Sequence, residues 1–197
     1  MCGIFGAVGN SINHLLLQEI AGEALKRGPQ AYGIAWMENE NICIQMYASA
    51  INPKKAFNHI KDNCQAIIGN CRLATSGTFT DLSNNQPIVL GRTVLSHNGN
   101  VRSYLQIADE IGAELKSNCD SEIICHLINK FGVEESVNRL SAEVPMALLI
   151  LQNNKITAFR KGQPLYVRSV DGCHYLCSRE FTGSVKVEEG KIVEFGG

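Results

Sequence analysis

Apolar positions along this chain fall into two rhythms. The first begins at once. Gly3-Ile4-Phe5-Gly6-Ala7-Val8-Gly9 is apolar without a break and punctuated by glycine, which predicts a buried strand with close backbone approach. Over 12–27 the period changes: Ile12, Leu15, Leu16, Ile20, Ala24 and Leu25 recur at a rough three-to-four spacing, that of an amphipathic helix. Lys26 and Arg27 suit its C-terminal dipole, and Gly28-Pro29 stops it. Residues 33–36 and 42–47 then form a β-hairpin pattern around 38–41. A short helix is predicted over 53–63, a buried strand within 65–72, a polar loop over 74–86 closed by Pro87, and a strand over 93–97 broken by Asn98-Gly99. Helices are predicted near 101–115, 120–131 and 134–141. The last third returns to the strand rhythm, at 146–151, 155–159, 165–169, 174–178, 185–187 and 192–195, with Gly and Asn turns between. Helices grouped in two regions between strand-rich regions predict an α+β protein whose sheets pack together with helices outside, rather than alternating βαβ units.

Composition narrows the picture. A chain of 197 residues with 45% hydrophobic content can bury a sizeable core in a single domain spanning 1–197. A formal net charge of −1 and the lack of a basic stripe argue against direct nucleic-acid or acidic-membrane partners. No apolar run approaches the ~20 residues of a membrane span, and no secretory pattern opens the chain, so a cytoplasmic setting is expected. The eight cysteines, at 2, 43, 64, 71, 119, 125, 173 and 177, then read as reduced thiols, most of them small apolar residues. Cys119, Cys125 and His126 form one loose group, and Cys173, His174 and Cys177 another. Neither has a Cys-x-x-Cys knuckle, so neither a metal nor another cofactor is expected.

The candidate chemistry starts at Met1-Cys2-Gly3. If Met1 is removed, Cys2 carries a thiol and a free α-amine on one residue. Their unperturbed pKa values are roughly 8.5 and 7.7–8.0, so the amine can take the thiol proton near neutral pH. Four further groups lie at strand ends or helix starts: Arg27-Gly28-Pro29-Gln30, Cys71-Arg72-Leu73-Ala74-Thr75-Ser76-Gly77, His97-Asn98-Gly99, and Asn118-Cys119-Asp120-Ser121-Glu122. Each has a bland account on its own; Asn98-Gly99 is a good turn and Asp120 a good helix cap. The bland accounts do not explain why all of them accompany Cys2.

Together these motifs resemble the class II glutamine amidotransferases, the glutaminase domains of the N-terminal nucleophile hydrolases, from Cys2 through at least Arg179. The Arg27-Gly28-Pro29, Arg72-Leu73 and Asn85-Gln86-Pro87 stretches are similar to the asparagine synthetase branch. Ala74-Thr75-Ser76-Gly77 and His97-Asn98-Gly99 look more like the glucosamine-6-phosphate synthase and amidophosphoribosyltransferase branches. The resemblance implies a four-layer αββα sandwich of two mainly antiparallel sheets. It implies Cys2 as nucleophile, Asn98 and Gly99 as oxyanion donors, and Arg27 as the residue positioning Cys2. It also implies Arg72 on the glutamine α-carboxylate, Asp120 on the α-ammonium, and Thr75, Ser76 and His97 around the substrate. The chemistry agrees: glutamine needs a cation, an anion and an oxyanion hole at fixed separations. Leu73 departs from the pattern, because glucosamine-6-phosphate synthase has a tryptophan there that helps close its ammonia channel. Phe79 is the nearest aromatic substitute.

The expected function is a stand-alone glutaminase that converts L-glutamine to L-glutamate and ammonia and passes ammonia to a separate synthase subunit, since no acceptor domain precedes Gly197. Two alternatives stay open: an amidohydrolase acting on another γ-glutamyl amide, and an inactive regulatory or binding subunit.

Overall fold

In the computed structural model, residues 2–38, 40–74, 78–141 and 145–196 are described. Strand β1 (Gly3–Gly9) lies at the centre of a seven-stranded sheet with β2 (Ala31–Glu38), β3 (Asn41–Tyr47), β4 (Ala66–Arg72), β9 (Tyr166–Val170), β10 (Cys173–Cys177) and β11 (Val185–Lys186), in the order β11-β9-β10-β1-β4-β2-β3. A second sheet runs β12-β8-β7-β6-β5, from β5 (Ile88–Leu90), β6 (Thr93–Gly99), β7 (Met146–Gln152), β8 (Lys155–Lys161) and β12 (Val193–Phe195). Every paired strand is antiparallel to its neighbour.

Three apolar layers hold this together, and strand alternation sorts residues between them. Ile4 and Val8 of β1 meet Leu149, Leu151 and Ile156 of the second sheet in a core between the sheets. Phe5 and Ala7 point the other way, onto Leu17, Ile20, Ala21 and Ala24 of helix α1 (His14–Leu25). Leu95, Leu148 and Ile150 face Ile123, Ile124 and Leu127 of α4 (Glu122–Ser141), beside α3 (Tyr104–Ile111). The order is helix, sheet, sheet, helix. Both faces of β1 and β7 are buried, which is why each reads as an unbroken apolar run.

Several predicted boundaries move for local reasons. Helix α1 starts at His14 because the Asn13 side chain accepts from the N–H groups of Leu15 and Leu16. The helix predicted over 53–63 shrinks to α2 (Pro53–Ala56), and the one near 101–115 ends where Gly112 takes a left-handed φ of 67°. The two helices expected at 120–131 and 134–141 are both present, as the two halves of α4 on either side of Gly132, whose φ of 81° and ψ of 170° are not helical. Strand β5 was hidden in the sequence: three residues after Pro87 are too few to show a period. No helix among the described residues is long and apolar enough to cross a membrane.

Candidate active site

The site lies where the N-terminal end of β1 meets the C-terminal ends of β4 and β6. Glycine makes the approach possible. A Cβ on Gly3 would sit 2.1 Å from the Ala24 carbonyl oxygen, so only glycine lets the end of α1 press against β1. A Cβ on Gly28 would sit 2.0 Å from the Cys71 oxygen, and this close seat places Arg27 beside Cys2.

Arg27 is the hub. Its Nε donates to the Cys2 carbonyl at 2.9 Å and its Nη1 to the Ser178 carbonyl at 3.3 Å. Ser178 is itself fixed to β1: its Oγ accepts from the Ile4 N–H at 3.0 Å, and its N–H donates to the Ile4 carbonyl at 2.9 Å. Asn98, buried on β6, completes the bridge between the sheets. With its nitrogen toward the Cys2 carbonyl, the Asn98 amide donates there at 3.2 Å and its oxygen accepts from Arg27 Nη2 at 3.0 Å. The reverse orientation would set amide nitrogen against guanidinium and oxygen against oxygen, so the network assigns the amide.

The half-buried Cys2 thiol points to the Leu73 carbonyl at 3.8 Å. Burial pushes its pKa up, and the negative Asp120 adds to this; a backbone hydrogen bond from Leu73 and the positive Arg72 oppose it. Cys2 therefore rests as a thiol and needs a base to become a nucleophile. Burial raises Cys64 and Cys119 to about 11 and Cys177 to about 12, and raises Cys71 and Cys125 further. All eight cysteines are free thiols, and among the described residues no three His, Cys, Asp or Glu side chains gather as a metal site.

Arg72 is buried at the end of β4. Its Nη1 donates to Asn85 Oδ1 at 2.7 Å and to the Thr78 carbonyl at 3.2 Å. Asn85 is braced in turn by donating to the Phe79 carbonyl at 3.2 Å. The 78–86 half of the expected loop is thus knitted to the site, with a 3₁₀ turn at Leu82–Asn84. Leu73 leaves its side chain 37% exposed, where a closing aromatic was looked for. Thr75 and Ser76 lie outside the described residues. Asp120 precedes α4, but its Oδ2 accepts from the Val101 N–H at 2.6 Å rather than capping the helix, which ties it to the chain just after Gly99.

The structure gathers Cys2, Arg27 and Asn98 directly and sets Arg72 and Asp120 close enough to act electrostatically on the thiol. His97 stands apart. As a neighbour of Asn98 on a strand it points to the opposite face, where its Nδ1 lies 2.9 Å from Ser121 Oγ. Gln86 closes the ring, donating from Nε2 to Ser121 at 2.9 Å and accepting from the His97 N–H at 2.6 Å. Ser121, accepting from Gln86, donates to Nδ1, which puts the neutral ring's proton on Nε2. Burial lowers the His97 pKa to about 4, against a smaller opposing pull from Asp120. A Cβ on Gly99 would lie 2.4 Å from that Nε2 and 2.9 Å from the Pro145 carbonyl oxygen, so the Gly99 backbone is boxed in. Sequence reasoning missed Asn85, Gln86, Ser121 and Ser178 as supports, and also Gln30, whose Oε1 accepts from the Ala74 N–H at 2.7 Å, and Gln163, whose amide lies 3.2 Å from that of Asn98. Most of them sit within or beside motifs that were singled out.

The fold is that of a class II, N-terminal nucleophile amidotransferase, and the chain belongs to the glutamine amidotransferase domain family, whose model matches residues 70–181. Among curated proteins it is 31% identical over 217 residues to the glutamine–fructose-6-phosphate aminotransferase of Streptococcus pyogenes, covering 98% of this chain and 35% of that one. It is 28% identical over 192 residues to the corresponding enzyme of Aquifex aeolicus, covering 90% and 32%. The chain thus spans about a third of the length of these relatives. Among solved structures it superposes on the glutamine phosphoribosylpyrophosphate amidotransferase of B. subtilis with a TM-score of 0.78 at 20% identity, over 98% of this chain and 47% of that one. It also superposes on an allosteric regulatory enzyme of purine biosynthesis with a TM-score of 0.81 at 21% identity, over 98% and 46%. These two establish the αββα fold.

Proposed function

We propose that this chain hydrolyses L-glutamine to L-glutamate and ammonia through a γ-glutamyl thioester on Cys2. The observation that supports it most is the Arg27 bridge, which binds the Cys2 backbone and the Asn98 amide into one rigid unit. In this reading Met1 is removed and the freed Cys2 amine takes the thiol proton. Sulfur attacks the amide carbon, and Asn98 Nδ2 with the Gly99 N–H holds the oxyanion. The intermediate collapses as the Cys2 ammonium returns its proton to the departing ammonia. Water, deprotonated by the amine, then cleaves the thioester and restores the thiol. Arg72 takes the α-carboxylate and Asp120 the α-ammonium, and Thr75 and Ser76 contribute to substrate binding. His97 acts at one remove, fixing Gly99 and the start of α4.

The ammonia passes to a separate synthase in this proposal. The names of the two aminotransferase relatives support an amino-transfer role, and the exposed Leu73 supports a site completed from outside the chain. The test is glutamate release by the purified protein and by Cys2→Ala, with folding checked by circular dichroism. The proposal expects turnover only with Cys2; equal release by both proteins refutes it. Amide nitrogen from ¹⁵N-glutamine should enter the acceptor despite excess unlabelled ammonium, and full dilution by that ammonium refutes channelled transfer.

A further inference from the structure

Beyond the known motifs, one side chain lies against the oxyanion amide. Gln163 follows β8 in the turn Lys161-Gly162-Gln163-Pro164, and its amide is 3.2 Å from that of Asn98. The turn is clamped from below. Buried Arg160 donates from Nη1 to the Gln163 carbonyl at 3.0 Å, from Nε to the Val187 carbonyl at 2.8 Å, and from Nη2 to Glu189 at 2.8 Å. Glu189 also accepts from the Gly162 N–H at 2.6 Å. Three groups thus surround the Asn98 amide: the Cys2 carbonyl, the Arg27 guanidinium and the Gln163 amide. Cys2 and Arg27 fix the Asn98 amide, its nitrogen donating to the Cys2 carbonyl and its oxygen accepting from Arg27 Nη2; Gln163 Oε1 then lies 3.2 Å from that oxygen, so the contact is favourable only with the Gln163 amide turned to bring Nε2 there.

We infer that Gln163 is a positioning residue for catalysis: as a donor to Asn98 Oδ1 it holds the Asn98 nitrogen toward the reacting centre. The inference rests on the glutaminase reading above. It concerns orientation, so it separates from packing. Glutamate has the shape of glutamine but, when ionised, can only accept. Gln163→Glu therefore draws the Asn98 nitrogen toward itself and turns the oxygen to the developing oxyanion. Gln163→Leu removes the contact to Asn98 without offering a competing acceptor.

The experiment measures kcat and KM for glutamine, with thermal midpoints, for the parent and both variants. Gln163→Leu should lower kcat about fivefold, the worth of one ordinary hydrogen bond. Gln163→Glu should lower it about 100-fold, as for a lost oxyanion donor. KM should stay within about twofold in both, since the head-group contacts lie elsewhere. A role in packing alone predicts the reverse order, with the isosteric Glu variant the milder, and that order overturns the inference. So does a Gln163→Glu kcat within twofold of the parent. A parent without turnover refutes the glutaminase reading instead. The ¹H–¹⁵N signal of the Asn98 side-chain amide, assigned by its loss in Asn98→Ala, then decides: a shift in Gln163→Glu supports the inference, and an unmoved signal overturns it.

Discussion

Replacing Arg27 by lysine tests the hub of the site without removing its charge. The guanidinium spreads three donors over three acceptors: Cys2 O at 2.9 Å, Asn98 Oδ1 at 3.0 Å and Ser178 O at 3.3 Å. An ammonium on a flexible stem cannot serve all three at these separations. If one contact survives, two charge-assisted hydrogen bonds are lost, each about 1.5–3 kcal/mol when well formed. Arg27 is only half-buried, so water replaces part of this, and a net loss of about 2–3 kcal/mol is a fair figure. The thermal midpoint should then fall by roughly 4–12 °C for a domain of this size. Catalysis should suffer further, because Cys2 and Asn98 lose their common anchor: kcat should drop about 100-fold with KM nearly unchanged. The assay is glutamate release against glutamine concentration well below the midpoint, beside a thermal melt. A lowered midpoint with kcat within threefold of the parent would show that Arg27 only holds sheet and helix together, and would refute its part in placing the nucleophile.

Two further outcomes follow from the same geometry. Arg72→Ala and Asp120→Ala should each raise KM for glutamine tenfold or more, since removing one partner of a buried charge pair costs about 2–5 kcal/mol; unchanged steady-state KM in either variant removes that residue from the head-group role. Stability should fall with acid through His97, whose pKa drops from 6.5 to about 4 on folding, so the unfolded chain binds the proton first. Stability present above pH 6.5 is then lost as pH falls toward 4, by about 2–3 kcal/mol at pH 4.5. Urea unfolding at pH 7 and 4.5 should show this loss, with a smaller one in His97→Gln; equal losses refute it.

How far the sequence revealed all this depended on the range of the interaction. Strands β1 and β7 were plain because both faces are buried, and α1 because its apolar stripe is local. Gly112 and Gly132 end helical segments whose apolar pattern was easier to see than their limits. The site was legible as motifs, not as geometry. Nothing near His97 in the chain says that its ring turns to α4 while Asn98 turns to Cys2; strand alternation and the partner sheet decide that. Asp120 looked like a helix cap because its partner, Val101, lies 19 residues away. Gln163 gave no signal of its own, since its meaning comes from a contact 65 residues distant.

The central claim, that Cys2 at a freed N-terminus is the nucleophile, is tested most directly by intact and peptide mass spectrometry after treatment with the electrophilic glutamine analogue diazo-oxo-norleucine. The account predicts loss of Met1, a single adduct on Cys2 among eight cysteines, and complete loss of glutaminase turnover in step with labelling. Retention of Met1 in a protein that still turns over glutamine would contradict it, as would an adduct on any other cysteine that tracks the loss of activity.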